Sequence, residues 1–187
     1  MGGVSNDVDN ASSAPRRIVV VRHAKAVQES INDHERSLAG RGRKNAPAAG
    51  RWLSGLGIVP DLVVCSTAAR TRETWELLSG ELERRPEVVF DERLYGASPD
   101  ELLAVIRETP EGVGSLMVVG HNPTMHAVAY ALDGGDEGES PSGNGLIERL
   151  NESGFPTSAV AVLDVRGRWA EVERGSARLA EYWTPRD

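Results

Sequence analysis

Short runs of branched apolar residues alternate along this chain with segments whose apolar residues recur at helical spacing. Three of these runs are continuous and cover residues 16–21, 60–66 and 115–120, and a shorter run covers residues 87–90. An apolar run without polar alternation is typical of a strand that is buried on both faces of a sheet. We therefore predict buried strands at the three continuous runs and a short strand at residues 87–90.

The segments between the runs have the pattern of amphipathic helices. We predict helices at residues 37–57, 67–85, 98–108 and 122–132. Ser98 and Pro99 form a typical helix start, and Ser66 or Thr67 is expected to cap the helix at 67–85. Pro47 is expected to kink or interrupt the first helix. Alternating strands and helices predict the α/β class, with a three-layer α/β/α sandwich around a mainly parallel central sheet.

The remaining segments have other patterns. Residues 134–154 are acidic and rich in glycine and serine, which predicts a surface excursion with a helical turn at 145–150. Residues 157–173 alternate like a β-hairpin that turns at Arg166–Gly167, and this hairpin would add an antiparallel edge to the sheet. We interpret residues 1–15 as a flexible N-terminal tail and residues 16–187 as a single domain.

Composition excludes several classes of function. The chain has 187 residues and a net charge of −7, which argues against a nucleic-acid or membrane-surface protein. A bound anion must therefore meet a local cluster of positive charge. Cys65 is the only cysteine, which excludes an intrachain disulfide and fits a reducing compartment. Without a signal-peptide pattern or an apolar run near the ~18 residues that span a bilayer, we predict a cytoplasmic protein.

Polar side chains follow three of the predicted strands at the point where each strand ends. They are Arg22 and His23, Ser66 and Arg70, and His121 and Asn122. Because ligands of open α/β sheets bind outside the carboxyl ends of strands, we expect these residues to share one crevice, with Glu92 from the segment 91–96. A neutral imidazole is a nucleophile at pH 7, and guanidinium groups bind phosphoryl oxygens. The pattern indicates phosphoryl transfer to a histidine.

Each candidate also has an ordinary structural interpretation. An isolated His23 could be a satisfied histidine at a strand end. Arg70 could pair on a helix surface with Glu73 or Glu76, and Glu92 could be a plain surface carboxylate. The order of the segments along the chain favours the functional interpretation.

The other histidines and aromatic residues are assigned no chemistry. His121 and His126 are five positions apart, which is not the spacing that places two metal ligands on one helical face, so no metal site is predicted. His34 is given at most a contact at the rim of the crevice. Cys65 is expected to behave as a small buried hydrophobe. Packing roles are predicted for Trp52, Trp75 and Trp169.

Four segments together resemble the motifs of the histidine phosphatase superfamily, which includes phosphoglycerate mutases and acid phosphatases. They are VVVRHAKA at 19–26, CSTAARTRET at 65–74, DERLYG at 91–96 and VVGHNP at 118–123. Lys25 resembles the RHAK variant of SixA-like protein-phosphohistidine phosphatases, and FPTSAVAVLDV at 155–165 is similar to the terminal strand region of that branch. The resemblance extends from residue 17 to about residue 173.

The resemblance implies a phosphoglycerate mutase-like fold and a role for each matching residue. His23 would be the residue that is phosphorylated during turnover. Glu92 would protonate the leaving group. The implied phosphate ligands are Arg22, Arg70 and His121, with Asn122 as a further substrate-binding candidate and Ser66 as a support of the pocket. No cofactor is implied.

The substrate is expected to be a phosphorylated protein, in particular one that carries phosphohistidine. The chain lacks, after the segment 91–96, the long insertion that roofs the site of mutases, and an open site fits a protein loop. Two alternatives remain open: a small-molecule phosphatase or phosphoglycerate mutase-type enzyme, and a non-catalytic module that binds phosphoproteins.

Overall fold

The computed structural model describes residues 15–134 and 143–186. Within these ranges the strands are β1 (Arg16–Arg22), β2 (Leu62–Ser66), β3 (Glu87–Asp91), β4 (Ser115–Gly120), β5 (Val160–Val165) and β6 (Ala177–Trp183). The α-helices are α1 (Gly40–Gly55), α2 (Ala69–Ser79), α3 (Pro99–Arg107), α4 (Thr124–Leu132) and α5 (Leu146–Ser153). Short 3₁₀ turns lie at Asp33–Glu35, Glu92–Leu94 and Trp169–Glu171.

The six strands form one sheet in the order β3-β2-β4-β1-β5-β6. The first four strands in this order are parallel, whereas β5 runs antiparallel to β1 and β6 antiparallel to β5. The predicted α/β class and the mainly parallel sheet with an antiparallel edge are confirmed. β1 lies inside the sheet, and its residues 18–21 are fully buried, as the continuous apolar run predicted.

Helices cover both faces of the sheet. Because successive side chains of a strand point to opposite faces, Val19 and Val21 pack with α1 and α2, whereas Ile18 and Val20 pack with α3, α4 and α5. The predicted three-layer sandwich is therefore present. Trp75 and Trp169 are fully buried, and Trp52 stacks on Trp183 with ring centroids 6.1 Å apart, so the tryptophans have packing roles.

The predicted helix starts are confirmed at one position and wrong at another. Ser98 caps α3 in a capping box with Glu101. Helix α2, in contrast, has Ala68 as its N-cap residue and no side-chain cap. The hydroxyl groups of Ser66 and Thr67 are within hydrogen-bonding distance of His121 and His34 instead. The sequence pattern marked the correct boundary but not these long-range partners.

Helix α1 continues without a break through Pro47, so the predicted interruption is wrong. A proline removes one backbone N–H donor from a helix, but the neighbouring turns can still pack as one helix. Here Ala49 and Leu53, both C-terminal to the proline, are buried against the sheet. Helix α2 ends at Ser79, ahead of Gly80, rather than at residue 85.

The predicted hairpin is corrected in its second strand. β5 pairs with residues 177–183 and not with residues 168–173. Trp169 explains the difference, because its side chain is fully buried and its Nε1 donates a hydrogen bond of 2.7 Å to the carbonyl oxygen of Val113. The alternation that suggested a strand therefore arises from a segment that packs on the helical layer.

The predicted surface excursion at 134–154 is also corrected. Residues 146–153 form the helix α5, whose Ile147 and Leu150 are buried. Residues 135–142 of the excursion and residues 1–14 of the predicted tail lie outside the described residues. The single domain at 16–187 stays a prediction. Among the helices that the structure describes, none is both long and apolar enough to cross a membrane.

Candidate active site

The carboxyl ends of β1, β2 and β4 lie side by side at one edge of the sheet. Arg22 pairs with Gly120, and Cys65 pairs with Val119, so the residues that follow these strands emerge next to one another. A cleft of about 260 Å³ opens there. It is lined by Arg22, His23, Lys25, Ala26, Gln28, Arg36, Arg70, His121, Asn122 and Thr157. The shared crevice that the strand ends suggested is present.

His23 is fixed with one ring nitrogen available. Its Nδ1 lies 2.7 Å from the carbonyl oxygen of Ala24, and because a carbonyl can only accept, Nδ1 must carry the proton. The same Ala24 donates its N–H to Thr74 Oγ1 at 2.9 Å, which anchors the turn to α2. The neutral ring therefore keeps an unprotonated Nε2, the atom that a nucleophilic histidine requires.

The surroundings of His23 favour this neutral form. The pKa of His23 is lowered to about 4, mainly by burial and also by the guanidinium groups of Arg70, Arg22 and Arg36, whereas the hydrogen bond to Ala24 acts in the opposite direction. At pH 7 the imidazole is therefore almost entirely unprotonated at Nε2. The ring faces the second histidine of the cleft, with a centroid distance of 5.3 Å to His121 and an angle of 56° between the planes.

His121 is held by the end of the neighbouring strand. Its Nε2 lies 2.8 Å from Ser66 Oγ, while its Nδ1 is buried and has no hydrogen-bond partner among the described residues. The pKa of His121 is lowered to about 3, mainly by burial and to a smaller extent by the charges of His23 and Arg70. Ser66 thus supports the pocket through its hydroxyl group.

Arg22 and Arg70 each have a buried guanidinium Nε without a hydrogen-bond partner among the described residues. Arg22 Nη1 donates to the carbonyl oxygen of Phe155 at 3.1 Å. Arg70 donates from Nη1 to the Asp33 carbonyl oxygen at 2.8 Å and from Nη2 to Asp33 Oδ2 at 3.2 Å. In both arginines Nε is buried without a hydrogen-bond partner in the described part of the chain. Buried, unsatisfied donors are costly unless a ligand pairs with them, and an anion would do so here.

Arg70 does not form the helix-surface ion pairs that were its alternative interpretation. Glu73 pairs with Arg43, and Glu76 pairs with Arg85. The side chain of Arg70 is only 7% exposed and points to the cleft end of α2, where a surface pair would not form.

Asp33 and Tyr95 do not line the described cleft, but they contact the cleft residues Arg70 and His121, and sequence reasoning missed both. Tyr95 Oη donates to Asp33 Oδ2 at 2.6 Å, and Arg36 Nε donates to Asp33 Oδ1 at 2.9 Å. These groups lower the pKa of Asp33 to about 2, with the Tyr95 hydrogen bond as the largest cause. The Tyr95 ring meets His121 edge-on at 5.6 Å. Asp33 lies in a polar stretch without periodicity, so no pattern in the sequence marked it.

The backbone opposite His23 is strained. Phe155 and Ser158 have φ values of 52° and 67°, which side-chain-bearing residues rarely adopt. The carbonyl oxygen of Phe155 accepts from Arg22 and from Asn122 Nδ2, and Ser158 N–H donates to the carbonyl oxygen of His23. Strain of this kind persists where surrounding contacts over-determine the conformation, typically at functional sites.

The remaining predicted residues are placed as follows. Asn122 lines the cleft, but its Nδ2 donates to the carbonyl oxygens of Gly154 and Phe155, so its amide holds the wall. Glu92 is exposed in the turn after β3, and the described residues that line the cleft do not include it. His34 is not among the described residues that line the cleft; its Nε2 lies 3.0 Å from Thr67 Oγ1, and the contact at the rim stays a prediction.

Residues 18–102 match the family model of the histidine phosphatase superfamily, branch 1. An uncharacterized protein of Mycobacterium tuberculosis is 42% identical over 169 residues, which cover 89% of this chain and 100% of that protein.

Two solved structures are similar over most of the chain, and both are of candidate phosphohistidine phosphatases SixA. The Nakamurella multipartitia protein is 34% identical, with a TM-score of 0.78 over 92% of this chain and 98% of that one. The Agrobacterium tumefaciens protein is 31% identical, with a TM-score of 0.75 over 92% and 100% of the two chains. Together with the paired histidines and arginines of the cleft, these matches show that the chain belongs to the SixA-like branch of the histidine phosphatase superfamily.

Proposed function

We propose that this protein is a cofactor-independent phosphatase that removes the phosphoryl group from phosphohistidine in proteins, through a phosphohistidine intermediate on His23. One observation carries the proposal. The unprotonated Nε2 of His23 lies in the same cleft as three buried nitrogens without a partner in the described chain, Nε of Arg22, Nε of Arg70 and Nδ1 of His121.

In the first step, the phosphoryl group of the substrate lies between the guanidinium groups of Arg22 and Arg70. His23 Nε2 attacks the phosphorus atom, and the bond from phosphorus to the leaving group breaks with its electron pair on the leaving group. Charge in such a transition state is spread over the phosphoryl oxygens, so fixed cationic donors stabilise it. His121 adds a neutral N–H donor at the same oxygens.

In the second step, water attacks the phosphorus atom of phosphohistidine 23. The bond from phosphorus to Nε2 breaks with its electron pair on Nε2, which returns His23 to its neutral form. One proton of the attacking water stays on the inorganic phosphate and the other passes to solvent. The low pKa of His23, about 4, supports its role as nucleophile, because the ring is neutral at the start of every cycle.

The carboxylates near the cleft favour a substrate whose leaving group needs little protonation. Asp33 stays ionised, since its pKa is lowered to about 2. Glu92, the proton donor implied by the resemblance, is exposed and outside the cleft lining of the described residues. When the second ring nitrogen of phosphohistidine carries a proton, the leaving group is neutral imidazole, whose conjugate acid has a pKa of about 6.5 and which is far less basic than an alkoxide. Phosphohistidine is therefore a better fit than an alkyl phosphate.

The comparisons support a protein substrate without naming it. The Nakamurella and Agrobacterium relatives are described as candidate phosphohistidine phosphatases, and both cover more than nine tenths of this chain. The cytoplasmic location, together with the absence of nucleic-acid and membrane partners, stays a prediction from charge and composition.

The test is a rapid-quench experiment with wild type and His23→Asn. Each is mixed with a radiolabelled phosphohistidine peptide and quenched in alkaline denaturant, because phosphohistidine is stable in base and labile in acid. We expect base-stable, acid-labile label on the wild-type protein, and a loss of turnover of at least about 10³-fold in His23→Asn. His126→Asn, on α4 outside the cleft lining, is the matched control and should retain activity.

Three results would overturn the proposal. Undiminished turnover by His23→Asn would exclude the intermediate. Faster hydrolysis of sugar phosphates than of the phosphohistidine peptide, or mutase activity with a bisphosphoglycerate primer, would assign a small-molecule enzyme. Tight phosphate binding without turnover of any aryl phosphate would assign a non-catalytic module.

A further inference from the structure

Positive charge continues beyond the catalytic cleft along the same edge of the fold. Next to α1 lies a hollow of about 440 Å³, lined by Arg41, Lys44, Asn45 and Arg186. Arg186 also lines a larger hollow of about 580 Å³, together with Arg51, Arg149, Trp52 and Trp183. We call the two hollows together the Trp52–Trp183 groove.

The lining of the groove is unusual for this chain. The protein carries 28 acidic and 21 basic residues. Yet none of the described residues that line either hollow or the catalytic cleft is an aspartate or a glutamate. Arg51 is partly neutralised, because its Nη1 lies 3.0 Å from Glu81. No such partner is recorded for Lys44 or Arg186 in the described chain, and both are exposed.

Strand register places the groove close to His23. Val21 pairs with Val160, and Val160 pairs with Trp183. Trp183 therefore lies level with Val21 and two strands away, which is about 10 Å at the usual strand spacing. Because β6 runs parallel to β1, Arg186 follows Trp183 in the direction in which His23 follows Val21.

Helix α1 connects the groove to the cleft. The backbone of Gly42 packs directly on Lys25, since a Cβ at Gly42 would lie 2.2 Å from the Lys25 carbonyl oxygen. Lys25 lines the cleft, and Lys44 and Asn45 follow Gly42 by less than one turn of the helix. An extended chain of three or four residues covers ~10 Å, so a bound segment can reach from one to the other.

The groove also offers flat aromatic surface. The Trp52 and Trp183 rings stack at 25° and are both half-buried, and the Arg149 guanidinium lies 6.0 Å from the centre of the Tyr182 ring. Aromatic rings with guanidinium groups around them are typical of the cores of protein recognition surfaces. Because basic side chains line the groove, charge complementarity favours an acidic partner.

We propose that the Trp52–Trp183 groove binds an acidic segment of the phosphorylated protein substrate, three or more residues away from the phosphohistidine that enters the cleft. The proposal rests on the proposed function for its substrate and adds a docking surface to it. Charges at the rim of an interface change the rate of association and the affinity, but not the rate of the chemical step. The groove should therefore change KM and its salt dependence, but not kcat.

The kinetic test uses two peptides with a single phosphohistidine. One carries alternating glutamates from the third residue after the phosphohistidine, and the other carries glutamines at the same positions. For the wild type we expect a KM about tenfold lower for the acidic peptide, a ratio that shrinks in high salt. In the double variant Lys44→Glu/Arg186→Glu the ratio should fall to about one, with kcat and the hydrolysis of an aryl phosphate unchanged.

Arg166→Glu with Arg168→Glu is the matched control. Both arginines are exposed at the β5 end that lies opposite the cleft, so the pair changes net charge equally without touching the groove. Equal KM values of the two peptides with wild type would overturn the docking proposal. So would a control pair that raises KM as much as the groove pair, because net charge alone would then explain the effect.

A binding assay separates failure of docking from failure of the proposed function. A fluorescein-labelled acidic peptide without phosphate is titrated with wild type and with the groove pair, and anisotropy is measured. Binding that the groove variant loses supports docking even if neither phosphohistidine peptide is hydrolysed, a result that would overturn only the proposed substrate. Absence of binding, or binding equal in the variant, overturns docking.

Discussion

Asp33 holds the two terminal nitrogens of Arg70, through its carbonyl oxygen at 2.8 Å and Oδ2 at 3.2 Å. Asp33 thus occupies the end of the guanidinium group that carries Nη1 and Nη2. The side formed by Nε and the second proton of Nη2 remains available to a ligand. Nε of Arg70 is buried and has no partner in the described chain. A guanidinium binds two oxygens in parallel along such an edge. Asp33 therefore orients Arg70 and does not merely compete with phosphate.

Substitution of Asp33 by asparagine should weaken phosphate binding. Asparagine keeps the backbone contact and the size of the side chain but removes the charge that Arg70, Arg36 and Tyr95 share. We expect roughly tenfold weaker competitive inhibition by inorganic phosphate, since a charge-assisted hydrogen bond at a half-exposed carboxylate is worth about 1–1.5 kcal/mol. Inhibition constants measured with an aryl phosphate give this value.

Asp61→Asn is the control for Asp33→Asn, because Asp61 pairs with Arg84 away from the cleft, and an amide oxygen can still accept the N–H groups of Gly114 and Ser115 that bond to its carboxylate. Its inhibition constant should match that of wild type. If Asp33→Asn bound phosphate more tightly than wild type, the carboxylate would be a competitor of the substrate, and its positioning role would be rejected.

Ser66→Ala should reduce turnover through His121. When the serine hydroxyl donates to Nε2 of His121, the ring proton lies on Nδ1, where it can donate to a phosphoryl oxygen. Without the hydroxyl the ring loses this preference, and we expect kcat to fall by about 10- to 100-fold, near the effect of losing one transition-state donor. Nitrogen chemical shifts of His121 in the two proteins report the tautomer directly.

Ser79→Ala provides the comparison for Ser66→Ala. Ser79 is also buried, on α2, and its hydroxyl bonds to the carbonyl oxygen of Glu76. It should lose no more than about twofold in kcat. An unchanged His121 tautomer together with an unchanged kcat in Ser66→Ala would show that the 2.8 Å contact has no role in turnover.

Titration of His23 and His121 should occur well below the usual histidine range. Burial lowers their pKa values to about 4 and about 3, compared with about 6.5 in an unfolded chain. NMR spectra of the imidazole nitrogens should therefore show both rings neutral from pH 8 to pH 5. A midpoint of either ring above pH 6 in the free protein would contradict the assignment of a neutral nucleophile.

The same two groups should make folding stability depend on pH. Because the folded pKa values lie below the unfolded ones, protonation favours the unfolded chain. Their contribution is complete above pH 6.5 and is lost as the pH falls toward 4. The free energy of unfolding, from denaturant titrations, should fall less between pH 7 and pH 5 in His23→Gln than in wild type.

Glu92→Gln tests the proton donor that the resemblance implied. Since Glu92 is exposed and outside the described cleft lining, we expect less than a twofold change in kcat with both an aryl and an alkyl phosphate. A selective loss of about 10²-fold with the alkyl phosphate would instead establish Glu92 as general acid. The two substrates differ only in their need for a proton, so each serves as the control for the other.

Local patterns were sufficient for the parallel part of the fold. The apolar runs at 16–21 and 115–120 bury both faces of a strand wherever they are placed in a layered fold, and Ser98 and Pro99 make a helix start from residues close in sequence. These features depend on neighbours within a few positions, and the structure confirms them. The same reasoning failed for residues 168–173, because the burial of Trp169 depends on Val113.

By itself, the sequence determined that the strands at 16–21, 60–66 and 115–120 are buried and that Arg22, His23, Ser66, Arg70 and His121 lie at or just after strand ends. Only the tertiary structure decided that Asp33 contacts Arg70 and Tyr95 contacts His121, that Glu92 is exposed and absent from the described cleft lining, and that β6 brings Trp183 level with Val21. The physical reason is the separation, along the chain, of the residues that interact. Strand burial follows from the apolar pattern along the chain, whereas a hydrogen bond between residues 33 and 95 follows from packing that no local pattern encodes.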